Sequence, residues 1–248
     1  MAVIYILWLR EVKKYLHSRP QILASLGQPL MYLLALGFGL GPVFQKSGQG
    51  NYVQFIAPGI VGMAILFTSI FSGVGLLWDR QFGFLKETLV APVPRIQIMI
   101  GRTLGGATIA MLQGILILVV CLLVGFRPHS LAALPLALVF MALIAVVFAS
   151  LGTAIGSILR DMQGFQLIMN FMIMPTFFLS GALYPLGNLP KALAVATRID
   201  PLSYGIDGLR GAMINASHFP LALDAGILAA VASAFLVLGA WAFSRIQV

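Results

Sequence analysis

Charge is what this chain most lacks. Only 9% of its 248 residues are Asp, Glu, Lys or Arg, 60% are hydrophobic, and mean hydropathy is +1.01. Soluble domains carry about 25% charged residues, so this composition cannot clothe a water-facing globule. Cysteine is nearly absent too. Cys121 alone excludes an internal disulfide and a thiolate metal cluster, and reads as a small core residue. No G-x-x-x-x-G-K-[ST] phosphate loop occurs: Gln45, not Gly, precedes the lone Lys-Ser pair at Lys46 and Ser47. An H-E-x-x-H zinc motif is missing, and His17, His129 and His218 lie far apart, as surface or interfacial residues do. The serine-protease pattern Gly-x-Ser-Gly is missing as well, since Phe178 and Leu179 precede Ser180, and Ile70 and Phe71 precede Ser72. Asp207 and Asp224 fall at the ends of apolar runs, which leaves no pair of membrane-embedded aspartates. An enzyme with its own active site, metal or cofactor is therefore not expected, and any ATPase must be another polypeptide.

What is present is apolar length. Six runs of about 20 residues, at 22–40, 53–78, 103–124, 131–159, 165–183 and 221–243, each suffice to cross a bilayer. The expected class is an all-α integral membrane protein. The apolar stretch 2–9 precedes Arg10, Lys13 and Lys14, the reverse of the order in a cleavable signal peptide. Net charge is +8, yet its placement does not suit nucleic acid. Arg10, Lys13, Lys14, Arg19, Arg80, Lys86, Arg95, Arg102, Arg160 and Arg245 all fall on one side of the six-span layout. The two short loops opposite hold only Lys46 and Arg127. Positive charge accumulates on the cytoplasmic side, so both termini are expected there. The span centres carry no Asp, Glu, Lys, Arg or His, which leaves proton or sodium coupling little to act on. An ion-coupled secondary carrier or channel is the alternative reading and predicts transport that follows an ion gradient without ATP. A non-transporting scaffold predicts no cargo-dependent turnover.

Three segments break the apolar pattern. In residues 1–19, Ile4, Tyr5, Trp8, Val12, Tyr15 and Leu16 share one side of a helical wheel, and Arg10, Glu11, Lys13, Lys14 and His17 the other. Such a helix lies flat among lipid headgroups, and Pro20 marks the turn into the first span. Residues 79–102 form a charged interruption between spans two and three. There Phe82, Leu85 and Leu89 make an apolar face at i, i+3, i+7 while Arg80, Glu87 and Thr88 point away, and Pro92 and Pro94 stop the helix. Its polar side suits docking on a soluble partner; as a plain interfacial loop, its apolar face would rest on lipid. Residues 179–215 hold Pro185, Pro190 and Pro201, too apolar for a solvent loop and too interrupted for a span, so re-entrant helical fragments are expected. Gly37/Gly41 and Gly152/Gly156 have the small-xxx-small spacing that lets helices approach closely.

The string RQFGFLKETLVAPVPR followed by GRTLGGA resembles the cytoplasmic loop of ABC-2-type exporter permeases. The later FLSGALYPLGNLP and IDPLSYGIDGLR resemble that family's segment after span five, especially in half-size permeases of daunorubicin-type and nodulation lipo-oligosaccharide export. Thr88 departs from the aliphatic residue common there. The resemblance implies a six-helix transmembrane domain over 20–248, preceded by the interfacial helix. It implies a second permease copy, identical or paralogous, and a separate ABC subunit that binds ATP and Mg. Residues Arg80, Phe82, Leu85, Lys86, Glu87 and Leu89 would form the coupling helix against that ATPase, with the N-terminal helix and the loop 160–164 as further contacts. The expected setting is a prokaryotic inner membrane, and the expected cargo a hydrophobic or amphiphilic drug, lipid or lipid-linked glycan leaving the cell. A cargo path is expected at the subunit seam. In span five Gln166, Asn170, Ile173 and Phe177 follow i, i+4, i+7, i+11, and in span two Phe67 and Phe71 follow i, i+4 beside Thr68 and Ser72. The competing expectation is that Asn170 bonds a neighbouring helix of its own subunit.

Overall fold

The computed structural model describes residues 2–46, 51–84, 93–159 and 161–244, and these are all-α apart from turns and loops. The helices are α1 (Ala2–His17), α2 (Arg19–Gly39), α3 (Gly41–Lys46), α4 (Tyr52–Phe71), α5 (Val74–Gln81) and α6 (Arg95–Val124). Then follow α7 (Leu134–Ile158), α8 (Met162–Leu179), α9 (Lys191–Ile199), α10 (Pro201–Ile214) and α11 (Leu221–Ser244). Among the described residues six spans are long and apolar enough to cross a membrane: α2, α4 continued by α5, α6, α7, α8 and α11. The chain is a multi-pass membrane protein.

Several helices outrun their apolar runs. The first begins at Arg19, because Pro20 sits in its first turn, where its missing N–H has no intrahelical partner to lose. The third begins at Arg95 rather than 103; its 30 residues make about 45 Å, against a hydrocarbon core of ~30 Å. It ends at Gly125, whose φ of 117° is a left-handed cap, and the Phe126 N–H donates back to the Cys121 carbonyl at 2.9 Å. Asp161 caps α8 by accepting the Gly164 N–H at 2.6 Å.

Burial ranks the helices. Over its apolar window the α4–α5 span is 67% buried and α2 only 17%, so α4 is the central post. Ile56, Ile60 and Leu66 of α4 pack with Phe140, Ile144 and Phe148 of α7, Ile117 of α6, and Ile206 and Leu209 of α10. A second apolar cluster gathers Leu7, Leu76, Ile98, Met99 and Phe243, tying α1 to α5, α6 and α11 at the end of the bundle that carries the first helix. In the segment after α8, Ile206 of α10 lies against Gly62, ten residues or about 15 Å along α4 from its start. Arg210 holds this segment down: its guanidinium donates to the carbonyls of Gly181 (2.7 Å) and Ala182 (3.2 Å) and sits 3.9 Å over the Phe55 ring. Asp207 accepts the backbone N–H groups of His218 and Phe219. Burial pushes the Asp200 carboxyl up to about 7, although the Leu202 N–H and the Ser203 hydroxyl favour its charged form.

The second span breaks at Ser72–Gly73. Ser69 and Ser72 return their hydroxyls to carbonyls of the preceding turn, which bends helices. At Gly73 the backbone runs against that of Gly152, and Gly156 in turn lies against the Gly73 carbonyl, so the Gly152/Gly156 pair packs within this subunit. A methyl group at Gly73 or Gly152 would collide with backbone that cannot move aside, while one at Gly75 meets nothing within 4 Å. Gly73→Ala or Gly152→Ala should therefore cost about 1–3 kcal/mol, read as a melting temperature several degrees lower in detergent. Gly75→Ala should be neutral or slightly stabilising. Equal melting of all three variants would show that the α4–α7 seam is not close-packed.

Candidate functional site

At the end of the bundle that carries α1, a buried charge dictates the arrangement. Arg102 lies inside α6 with its side chain only 6% exposed, so it needs a fixed counter-charge. Asp79, at the last turn of α5, supplies it, and the same carboxylate oxygen accepts Arg10 of α1 at 2.7 Å. Arg10 also pairs with Glu11 at 2.9 Å. The α1 helix lies along α6 over Gly101 and Gly105, where an added Cβ would sit 3.0 Å from the Leu7 Cβ and 2.8 Å from the Glu11 Cβ. Two hydrogen bonds fix this contact: Trp8 Nε1 donates to Thr108 Oγ1 (2.9 Å), and the Tyr15 hydroxyl donates to Gln113 Oε1 (2.6 Å). Of the side expected to be apolar, Val12 and Tyr15 are buried, Ile4 and Trp8 half-buried, and Tyr5 and Leu16 exposed. One residue beyond Asp79, the Arg80 guanidinium donates to the Leu159 (2.6 Å) and Ser157 (3.4 Å) carbonyls at the C-terminus of α7, where carbonyls lack intrahelical partners. Both ends of the charged 79–102 segment are thus tied into the bundle.

Beside this anchor lies a cavity of about 700 Å3. Its deeper wall is apolar, with Met63, Phe67 and Phe71 from α4 and Ile109 from α6. The rest of its lining is polar, with Glu11, Lys14 and the buried Tyr15 from α1 and Gln21, Ser25 and Gln28 from the start of α2. Lys14, Gln21 and Gln28 are exposed, so the cavity is open on that side. Arg102 and Trp78 complete the wall. An apolar pocket with a few convergent polar groups is the usual form of a small-molecule site.

The expected site residues fall in separate places. Phe67 and Phe71 line the cavity with Thr68 and Ser72. Ile173 and Phe177 do not: both are 1% exposed and pack inward with Phe165 and Met169, Phe177 meeting Tyr32 edge-on at 6.1 Å. Asn170 and Gln166 are exposed on the adjoining flank of α8, so the border between buried and open surface cuts through that stripe. Of the expected coupling residues, Arg80 is placed as above and Phe82 is exposed, stacked on Trp78 at 5.4 Å. Leu85, Lys86, Glu87 and Leu89 lie outside the described residues. From the sequence Asp79 and Arg102 stand out only as the two ends of the charged segment 79–102, and Gln113 not at all. The amide of Gln113 inside the apolar run 103–124, and Arg102 directly before it, were the available signal. Among the described residues no group of three or more His, Cys, Asp or Glu is placed to hold a metal.

The ABC-2 type transporter family matches this chain over residues 2–214. Nodulation protein J of Rhizobium leguminosarum bv. trifolii is 32% identical over 196 residues, 78% of this chain and 74% of the relative. Its counterpart in Rhizobium meliloti is 31% identical over 209 residues, covering 84% and 79%. The inner membrane transport permease YadH of Escherichia coli K12 is 27% identical over 235 residues, covering 94% and 91%.

The anchor makes an asymmetric prediction. Asp79→Ala leaves the buried Arg102 without a counter-charge and should cost about 3–5 kcal/mol. Arg10→Ala removes an exposed partner and should cost at most about 1 kcal/mol. Thermal unfolding in detergent should rank them in that order, and equal losses would remove Arg102 as the reason for the anchor.

Proposed function

This chain belongs to the ABC-2 type transporter family, and on that premise we propose that it is the membrane half of an ATP-driven exporter of a hydrophobic or amphiphilic compound. It is a permease, a transport component without catalysis of its own. Two copies, identical or paralogous, pair in a prokaryotic inner membrane with both termini in the cytoplasm. Separate ATP-binding subunits, which hold ATP and Mg, dock from below on the coupling segment that carries Phe82, Leu85, Lys86, Glu87 and Leu89, while Arg80, at the end of α5, fixes the start of that segment to α7. The α1 helix lies in the headgroup layer with Tyr5 and Leu16 toward lipid, and α9 with α10 forms the re-entrant segment over 179–215.

One observation supports this reading above the others. Trp78 and Arg102, at the two ends of the segment offered to the motor, are also walls of the cavity. A push on that segment therefore bears on the cavity itself. Energetically the motor need only bind one permease conformation more tightly than the other, since a partner with equal affinity for both shifts nothing. The path begins at Phe67 and Phe71 of this cavity and continues to the seam between copies, where Gln166 and Asn170 are open and Ile173 and Phe177 back the wall.

Reconstitution with the ATP-binding subunit tests the reading. Glu87→Lys and Leu85→Asp should leave membrane insertion intact and cut ATP-driven transport of an amphiphilic dye by about tenfold or more, the loss of one charge-assisted contact or one seated apolar face. Normal transport in both variants would remove the coupling helix, and transport driven by an ion gradient without ATP would establish a secondary carrier instead. For topology, a cysteine at Ser130 should be labelled from outside the cell and one at Gln81 only after permeabilisation; outside labelling at Gln81 would overturn the orientation.

A further inference from the structure

The cavity beside α1 carries more chemistry than an apolar cargo requires. Its charged groups are not balanced: Lys14 and Arg102 are cations, and Glu11 is the one carboxylate among the lining residues. Glu11 is already matched by Arg10 at 2.9 Å. Among the described residues Arg102 is matched only by the Asp79 carboxylate, whose same oxygen is shared with Arg10. Lys14 stands on the rim, and among the described residues no carboxylate pairs with it. The charge left over along this lining is thus cationic, carried by Lys14 and Arg102. A donor-rich, cationic mouth selects an acceptor-rich, anionic group, and a phosphate or carboxylate meets such donors with short, charge-assisted bonds.

The depth of the cavity sets the rest of the ligand. From Ser72, which caps the C-terminus of α4, to Met63 is nine residues, about 13 Å of helix rise. That is close to half of a ~30 Å hydrocarbon core, the depth of one leaflet. Along it Phe71, Phe67 and Met63 present an apolar wall. The open side faces the first turns of α2, where Gln21, Ala24 and Gln28 are exposed.

We propose that this cavity takes one anionic amphiphile from the leaflet next to α1, with its phosphate or carboxylate at Lys14 and Arg102 and its apolar part along Phe71, Phe67 and Met63. The inference rests on the exporter reading for its biological sense, but the binding it describes needs no motor. A compound that is exported and a resident membrane lipid share this chemistry, and the experiment separates them.

The full-length chain in phosphatidylcholine nanodiscs is titrated with a short-chain fluorescent phosphatidic acid and with the phosphatidylcholine of the same chain and dye. The anionic probe should bind about tenfold more tightly, the effect of one charge-assisted bond at a partly solvated site. Lys14→Gln should abolish that preference and Lys14→Arg retain it; Lys14 is exposed, so neither change disturbs packing. Phe71→Ala should weaken both probes alike. Glycerol 3-phosphate, the head group without a chain, should not displace the anionic probe at equal concentration; full displacement would mean a soluble-anion site and overturn the proposal. Equal affinity for the two probes, or a preference unchanged in Lys14→Gln, would overturn it as well. With the ATP-binding subunit present, ATP-driven movement of the bound probe to the other leaflet identifies it as cargo, and retention identifies a resident lipid; either supports the site. The exporter reading fails separately, when no compound moves on ATP addition whatever binds here.

Discussion

The shared carboxylate of Asp79 is the interaction on which the α1 end of the bundle depends. Arg102 is buried in a helix surrounded by apolar side chains, and an unpaired guanidinium there would cost several kcal/mol. Neutralising it fixes the end of α5 against α6, and the exposed Arg10 draws α1 onto the same oxygen. Around that point the remaining contacts are short-range consequences: Trp8 with Thr108, Tyr15 with Gln113, Leu7 with Ile98 and Met99. The chain enters and leaves the 79–102 segment through residues that cannot move independently of the bundle. A rigid attachment of this kind is what force transmission from a soluble partner needs.

A second constraint works at the level of backbone. The broken α4–α5 span and α7 approach so closely at Gly73, Gly152 and Gly156 that no side chain fits between them. In lipid, helix association gains little from apolar burial and much from close packing, so such seams hold a bundle together. The break at Ser72–Gly73 has a further effect. It ends the apolar wall of Phe67 and Phe71, and beyond it Asp79 reaches Arg10 of α1 and Arg102 of α6 beside the cavity.

The helices differ in how far the single chain satisfies them. The α4–α5 span is enclosed, whereas α2 and α8 leave Leu23, Met31 and Phe38, and Leu167 and Phe171, exposed. Lipid covers such faces without cost, and so does a second copy, in keeping with the pairing proposed for this permease. The cavity opens beside α2, so the same under-packed side that would meet lipid also admits an amphiphile.

Much of this was legible along the chain, because it is local. Apolar runs of about 20 residues define the six spans, the charge distribution supports an orientation, and the wheel of residues 2–17 announces an amphipathic helix whatever it packs against. The order of the loop and post-span-five motifs pointed to the family that the relatives bear out. Boundaries slipped where a helix runs past its apolar stretch, as at Arg95, since hydropathy ends before hydrogen bonding does. What the tertiary structure decided is which faces meet. A helical wheel puts Gln166, Asn170, Ile173 and Phe177 on one stripe, yet it holds no information about which neighbour lies opposite, and packing against α2 and α4 buries the last two while leaving the first two open. The same limit hid the pairing of Asp79 with Arg10 and Arg102, 69 and 23 residues away along the chain. It hid too the meeting of Lys14 with Phe67 and Phe71 around one cavity, because contacts at that separation are set by how helices stack and not by the sequence within any one of them.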